Sequence, residues 1–242
     1  MGSDGTLGHA HDHADGSATG HAAVRAGSDP LAPRPADAVV FDLGNVLIRW
    51  DPVPAIAAAV GADRAAAFLA DPDFDFAAWN HANDAGRSLA EAEQAALASH
   101  PHYAQEVLAY REHFDASMVE EIAGSVEILR ELHAGQVPLF ALTNWSADLF
   151  PRAVERFEFL DLFEDIVVSG EEGVAKPDPE IFEVLEERVR HRAGLDDCIF
   201  VDDSAANVQA AEATGLDAIL FTGPEHLRDD LIARGMPLRH LP

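Results

Sequence analysis

The sequence predicts an α/β fold, a doubly wound, Rossmann-like parallel sheet carrying an inserted helical cap. Three observations predict it. Short, continuously apolar runs recur along the chain, as they do in parallel strands buried on both faces. Amphipathic helical patterns lie between these runs. One interval after the first run, about 65 residues long, breaks the alternation and holds helical patterns alone.

Residues 1–36 are rich in Gly, Ala, Ser, Asp, Pro and His without apolar periodicity, and read as a disordered tail. His9, His11, His13 and His21 lie in it, spaced like a chelating tag but with no packed partner. Ala38-Val39-Val40-Phe41 is the first strand by composition and ends at Asp42. Residues 52–118 are the helical cap, in which Ser88-Leu89-Ala90-Glu91 has capping-box form. Phe74, Phe76 and Trp79 read as cap core, and His81, His100, His102 and His113 as surface residues.

The core takes residues 37–51 and 119–242. Ile122, Val126, Ile128, Leu129 and Leu132 form a helical stripe that Gly135 ends. Val137–Leu142 is the second strand, with Pro138 near its start, where a strand tolerates proline. Ile166–Val168, Ile199–Val201 and Ala218–Phe221 complete five. Asp178-Pro179 opens a helix as N-cap and first-turn proline, and Thr222-Gly223-Pro224-Glu225 has capping-box spacing at another.

With 43 acidic residues against 16 basic ones, the net charge is −27, a field that repels nucleic acid and anionic lipid. No apolar run reaches the roughly 18 residues of a membrane span, and the N-terminus lacks a secretory pattern. The single cysteine, Cys198, lies in an apolar run and reads as a buried thiol. The expectation is a cytoplasmic monomer or homodimer acting on a small molecule. An anionic substrate needs a local positive charge in this field, which points to a bound cation.

Ligands of open α/β sheets bind beyond the carboxyl ends of the strands. Those ends carry Asp42-Leu43-Gly44-Asn45-Val46, Thr143-Asn144, the loop Ser169–Pro177 with Lys176, and Asp202-Asp203. Each delivers a polar group to one crevice. Three carboxylates meeting there repel one another unless a cation intervenes, and magnesium suits few carboxylates, waters and a phosphate. No histidine or cysteine stands at these strand ends, which argues against zinc or iron. Taken singly, Thr143-Asn144 reads equally as a turn, and Asp202-Asp203 as a helix N-cap. Lys176 reads otherwise. The chain uses arginine fifteen times and lysine once, here, before Pro-Asp-Pro, where a compact ammonium fits between two anions better than a wide guanidinium.

These four segments, in this order over residues 38–223, closely resemble the haloacid dehalogenase superfamily, in the subclass with a helical (C1-type) cap after the first motif. The Asp-Leu-Gly-Asn-Val form is similar to a bacterial subgroup that includes sugar-1-phosphate phosphatases. The resemblance implies a magnesium-dependent hydrolase of small phosphomonoesters, sugar phosphates among them. Asp42 would attack phosphorus, splitting one displacement into two. Thr143 and the backbone amide of Asn144 would hold the phosphoryl oxygens, and Lys176 would neutralise charge on nucleophile and phosphoryl group. Asp203 would bind magnesium with Asp42 and the Gly44 carbonyl, Asp202 acting through a water, while Asn207 orients the loop. Asn45 and Arg87 are further substrate-side candidates, with Arg87 reaching the site from the Asp84–Arg87 turn.

One residue departs from the pattern. Phosphatases of this superfamily usually carry a second aspartate two residues after the nucleophile, as general acid and base, and dehalogenases a tyrosine. Here Gly44 stands there. The glycine leaves two relatives as alternatives: a metal-free 2-haloacid dehalogenase, against which Asp202-Asp203 counts, and a non-catalytic ligand binder. A phospho-acceptor receiver domain has the reverse order of acidic pair and lone aspartate.

Overall fold

The computed structural model of the chain describes Met1 and residues 36–240. The tail read over residues 1–36, with its four histidines, lies outside the described residues except at its two ends. Seven strands are present among them: β1 (Ala38–Phe41), β2 (Ile48–Trp50), β3 (Met118–Glu121), β4 (Leu139–Thr143), β5 (Asp165–Val168), β6 (Cys198–Asp202) and β7 (Asp217–Leu220). Five form a parallel sheet in the order β5-β4-β1-β6-β7. They are the five runs read from the sequence, and the order places β1, followed by Asp42, between β4 and β6, which end in Thr143 and Asp202.

Alternation along these strands serves both faces of the sheet. Val39, Phe41, Leu139, Ala141, Ile199 and Val201 join one apolar cluster, while Ala38, Val40, Phe140, Leu142 and Phe200 join the other. Cys198 lies in the second cluster, fully buried, and burial pushes its thiol up to about 12.

Between β2 and β3 the chain is helical, with α-helices over Pro52–Val60, Ala62–Leu69, Phe76–Asp84, Leu89–Ser99 and Ala104–Glu112. The first cluster runs on into this insert through Ile56, Phe68, Phe74, Trp79 and Tyr110. Phe74 and Phe76 pack on Trp79, with ring centroids 6.1 and 5.7 Å away, as expected of a helical core. The antiparallel pair β2–β3, which sequence patterning did not show, clamps the two ends of the insert together.

Caps set the helix starts. Ser88 accepts from the Glu91 amide at 3.3 Å, and the Glu91 carboxylate accepts from its hydroxyl at 2.7 Å, closing the expected box through the side chain. Asp178 caps the helix Pro179–Val189 as predicted. The Thr222 expectation is corrected. Gly223 occupies the N-cap of Pro224–Ala233 with no side-chain bond, because Pro224 takes the first helical position and moves Glu225 out of box register. Among the described residues no helix is long and apolar enough to cross a membrane.

Candidate active site

β1, β4 and β6 end at one level, so Asp42, Thr143 and Asp202 emerge side by side from neighbouring strands. Asp42, Asp202 and Asp203 each bring a carboxylate oxygen into a group whose members lie within 4.8 Å of one another. Lys176, 1% exposed, is placed among them. Its Nζ lies 2.9 Å from Asp42 Oδ1 and 2.7 Å from Asp202 Oδ2, and donates to the Leu142 carbonyl at 2.7 Å. All three ammonium protons are thereby engaged. Burial works to lower the Lys176 pKa, but Asp42 and then Asp202 hold it above its ordinary value. Burial pushes Asp42 up to about 7 against the pull of Lys176.

Asp202 is fully buried and heavily committed. Its oxygens accept from Lys176, from Asn207 Nδ2 at 3.0 and 3.1 Å, and from the Ser204 amide at 2.8 Å. Asp203 is the exposed member, hydrogen-bonded by Asn45. Asn45, in the left-handed region at φ 55°, also accepts from the Trp50 amide at 3.1 Å. Its side chain thus braces the loop after β1 against Asp203.

The end of β4 offers two buried groups with no partner among the described residues, Thr143 Oγ1 and Trp145 Nε1. Both can donate to a ligand's acceptors. Asn144 between them has its side chain engaged with the Lys176 backbone, which leaves its main chain for the phosphate role read from sequence.

A cavity of about 190 Å³ opens in front of these groups. Asp42, Gly44, Lys176 and Asp203 line its core side, and Trp50, Tyr110, Phe114, Trp145 and Leu149 its apolar wall. Besides Tyr110 and Phe114, the insert brings Asn80 and Asp84 to it. Asp84 is 9% exposed; its Oδ2 accepts from Asn80 Nδ2 at 3.0 Å, and the Ser146 amide donates to the same carboxyl. Its carbonyl accepts from Ser169 Oγ, whose oxygen in turn accepts from the Trp145 amide. Two residues on, Gly86 lies so close to the loop before Lys176 that a Cβ there would meet Gly173 Cα at 2.8 Å.

Arg87 is not brought to the cavity. Its guanidinium donates to the Trp79 carbonyl at 2.8 Å and to Asn83 Oδ1 at 3.0 Å, closing the end of its own helix. The turn presents Asp84 instead. Sequence reasoning favoured the cation because the substrate is an anion; the apolar run around Trp79 was the available sign that this face is buried. Tyr110 and Trp145 were missed as wall residues, since aromatics facing a cavity and a core look alike in sequence.

The profile of haloacid dehalogenase-like hydrolases matches residues 36–215. A sesquiterpene phosphatase of Aspergillus oryzae is 37% identical over 119 residues, 49% of this chain and 56% of its own length, so the match spans little more than half of that relative. A ribulose-1,5-bisphosphate 5-phosphatase of Halopiger xanaduensis is 27% identical over 210 residues, 78% of this chain and 86% of its own. A HAD-family enzyme of Bacteroides thetaiotaomicron, solved with magnesium and inorganic phosphate, shares the fold with a TM-score of 0.62 at 20% identity, over 78% of this chain and 95% of its own. With the strand-end carboxylates and their buried lysine in place, and a profile match over most of its length, the chain belongs to the haloacid dehalogenase-like hydrolase family.

Proposed function

We propose that the chain hydrolyses small phosphomonoesters with magnesium, by way of an aspartyl-phosphate on Asp42. The observation that carries this reading is the buried Lys176 ammonium, which bridges Asp42 and Asp202 within a cluster of three carboxylates. The donor set is all oxygen, which fits a hard divalent ion and not zinc or iron. Asp42, Asp203 and the Gly44 carbonyl would hold it, with Asp202 reaching it through water because its oxygens already accept four bonds. When bound, magnesium offsets the negative charge of phosphate and carboxylates.

Asp42 attacks phosphorus, and the bond to the leaving oxygen breaks. Lys176 keeps Asp42 ionised and oriented in a site where burial favours its neutral form. Thr143 Oγ1 and the Asn144 amide meet the phosphoryl oxygens. Water then attacks the phosphorus, releasing phosphate and regenerating Asp42. Residues 52–118 serve as the cap that closes the cavity and chooses the substrate.

The cavity favours a small substrate with one phosphate. At about 190 Å³ it is below the roughly 300–1,000 Å³ of pockets for drug-sized ligands. Among the described residues Lys176 is the one basic side chain lining it, so a second anionic group would meet carboxylates and aromatic rings. Alcohols with an apolar face, whether a sugar ring or an isoprenoid chain, suit the wall of Trp50, Tyr110, Phe114 and Trp145. The test is a panel of sugar monophosphates, prenyl monophosphates and ribulose bisphosphate, assayed with magnesium and with chelator. Turnover of monophosphates with magnesium alone is expected. Full activity in chelator, with consumption of 2-chloropropionate, would overturn the reading in favour of the dehalogenase.

A further inference from the structure

An alkoxide leaving group needs a proton, and the cavity holds few groups able to give one. Asp42 is the nucleophile in the reading above, on which this inference rests. Asp203 stands with it on the metal side. All three Lys176 protons are donated to Asp42, Asp202 and the Leu142 carbonyl. The Tyr110 hydroxyl is held well above its ordinary pKa by burial and by the charge of Asp84. At Gly44, two residues after the nucleophile, there is no side chain at all. Asp84 remains, a carboxyl with no other assignment, carried by the helix Phe76–Asp84 and lining the same cavity as Asp42.

We propose that Asp84, carried by the helical insert, is the general acid and then the general base of the reaction. In the first step the phosphorus–oxygen bond to the leaving group breaks as Asp42 bonds to phosphorus, and the Asp84 proton passes to the departing oxygen. In the second, the Asp84 carboxylate takes a proton from the water that attacks the aspartyl-phosphate, which restores the acid and frees Asp42.

The placement suits the task. Asn80 Nδ2 and the Ser146 amide fix the carboxyl, and Ser169 fixes the backbone behind it. The groups facing it are Asp42 from the end of β1, Tyr110 from the helix Ala104–Glu112, Asn80 from its own helix and the Ser146 amide. Burial holds its carboxyl above the ordinary carboxylate range, so that it can carry the proton a leaving group needs. The position also accounts for Gly44, since an acid supplied by the insert makes one beside the nucleophile redundant.

Benzyl phosphate and p-nitrophenyl phosphate test this, because both fit an aromatic-walled cavity while their leaving groups differ greatly in basicity. Asp84→Asn should lower kcat/KM for benzyl phosphate by about 10²–10⁴-fold, the usual worth of general acid catalysis. Its effect on p-nitrophenyl phosphate, whose anion departs unaided, should be small. Adding Gly44→Asp to Asp84→Asn should restore benzyl phosphate selectively, because a Cβ at Gly44 meets no atom within 4 Å. Equal losses on both substrates, or no loss on either, would overturn the role of Asp84 while wild-type turnover keeps the phosphatase reading. The wild type alone gives a second measurement, free of folding effects: a steep fall in rate with leaving-group basicity also overturns the proposal. A wild type inert towards both esters would overturn both readings together.

Discussion

The side-chain amide of Asn144 brackets the peptide of Lys176, accepting from its N–H at 2.9 Å and donating to its carbonyl at 2.8 Å. The residue after Thr143 thereby sets the backbone from which the sole lysine reaches two carboxylates. Asn144→Ala removes both bonds. At about 0.5–1.5 kcal/mol each, stability should fall by roughly 1–3 kcal/mol in a denaturant titration, and kcat should fall with it as Lys176 loses its position.

Asp42→Asn separates chemistry from folding. Losing a covalent nucleophile should reduce turnover on the order of 10³-fold or more. The metal-free protein should melt at an equal or higher temperature, because the substitution removes a carboxylate that burial disfavours. A large drop in melting temperature would show that Asp42 mainly anchors Lys176.

Magnesium should raise the melting temperature of the wild type by mass action, and chelator should reverse the rise. Asp203→Ala should abolish that shift together with turnover, while the melting temperature without metal changes little, since Asp203 is exposed. Calorimetry at several magnesium concentrations reads both effects.

The Asp84 carboxyl also makes stability depend on pH. Its pKa is about 7 in the folded chain against an ordinary 3.8, raised by burial and then by Asp42. The native state therefore keeps a proton that the unfolded chain has released, and stability falls as pH rises between these two values, levelling above them. Asp84→Asn removes this contribution. Between about pH 5 and about pH 8 its melting temperature should change less than that of the wild type. Asp42 titrates in the same window, so the difference between variant and wild type is the quantity to measure.

Arg87→Ala should cost stability and leave KM for a monophosphate unchanged. Two hydrogen bonds closing the helix Phe76–Asp84 are lost, worth roughly 1–3 kcal/mol together. A rise in KM with stability unchanged would return Arg87 to the substrate side.

Much of this was legible in the sequence. The three central strands of the parallel sheet are buried on both faces, so each wrote itself as an unbroken apolar run, and the polar residue at the end of each run marked a point of the crevice. Asp42, Thr143 and Asp202 could be named on that ground, and Lys176 as the single lysine of the chain, standing before Pro-Asp-Pro. β2 and β3 could not. They are short, and Arg49, Val119 and Glu120 face solvent, so they carry neither an apolar run nor a clean alternation. The choice between Asp84 and Arg87 was equally hidden, because it turns on which side of a helix end faces the core. Charge logic pointed to Arg87, whereas the structure ties its guanidinium to Trp79 and Asn83 and lines the cavity with Asp84.

The burial of Lys176 has a practical side. Its ε-amine is the only one in the chain, and with 1% of the residue exposed an acylating reagent finds no lysine to attack on the surface. Amine coupling to a support would spare the crevice. Conversely, slow inactivation by such a reagent would serve as a clock, reporting how often the crevice opens far enough to bare that nitrogen.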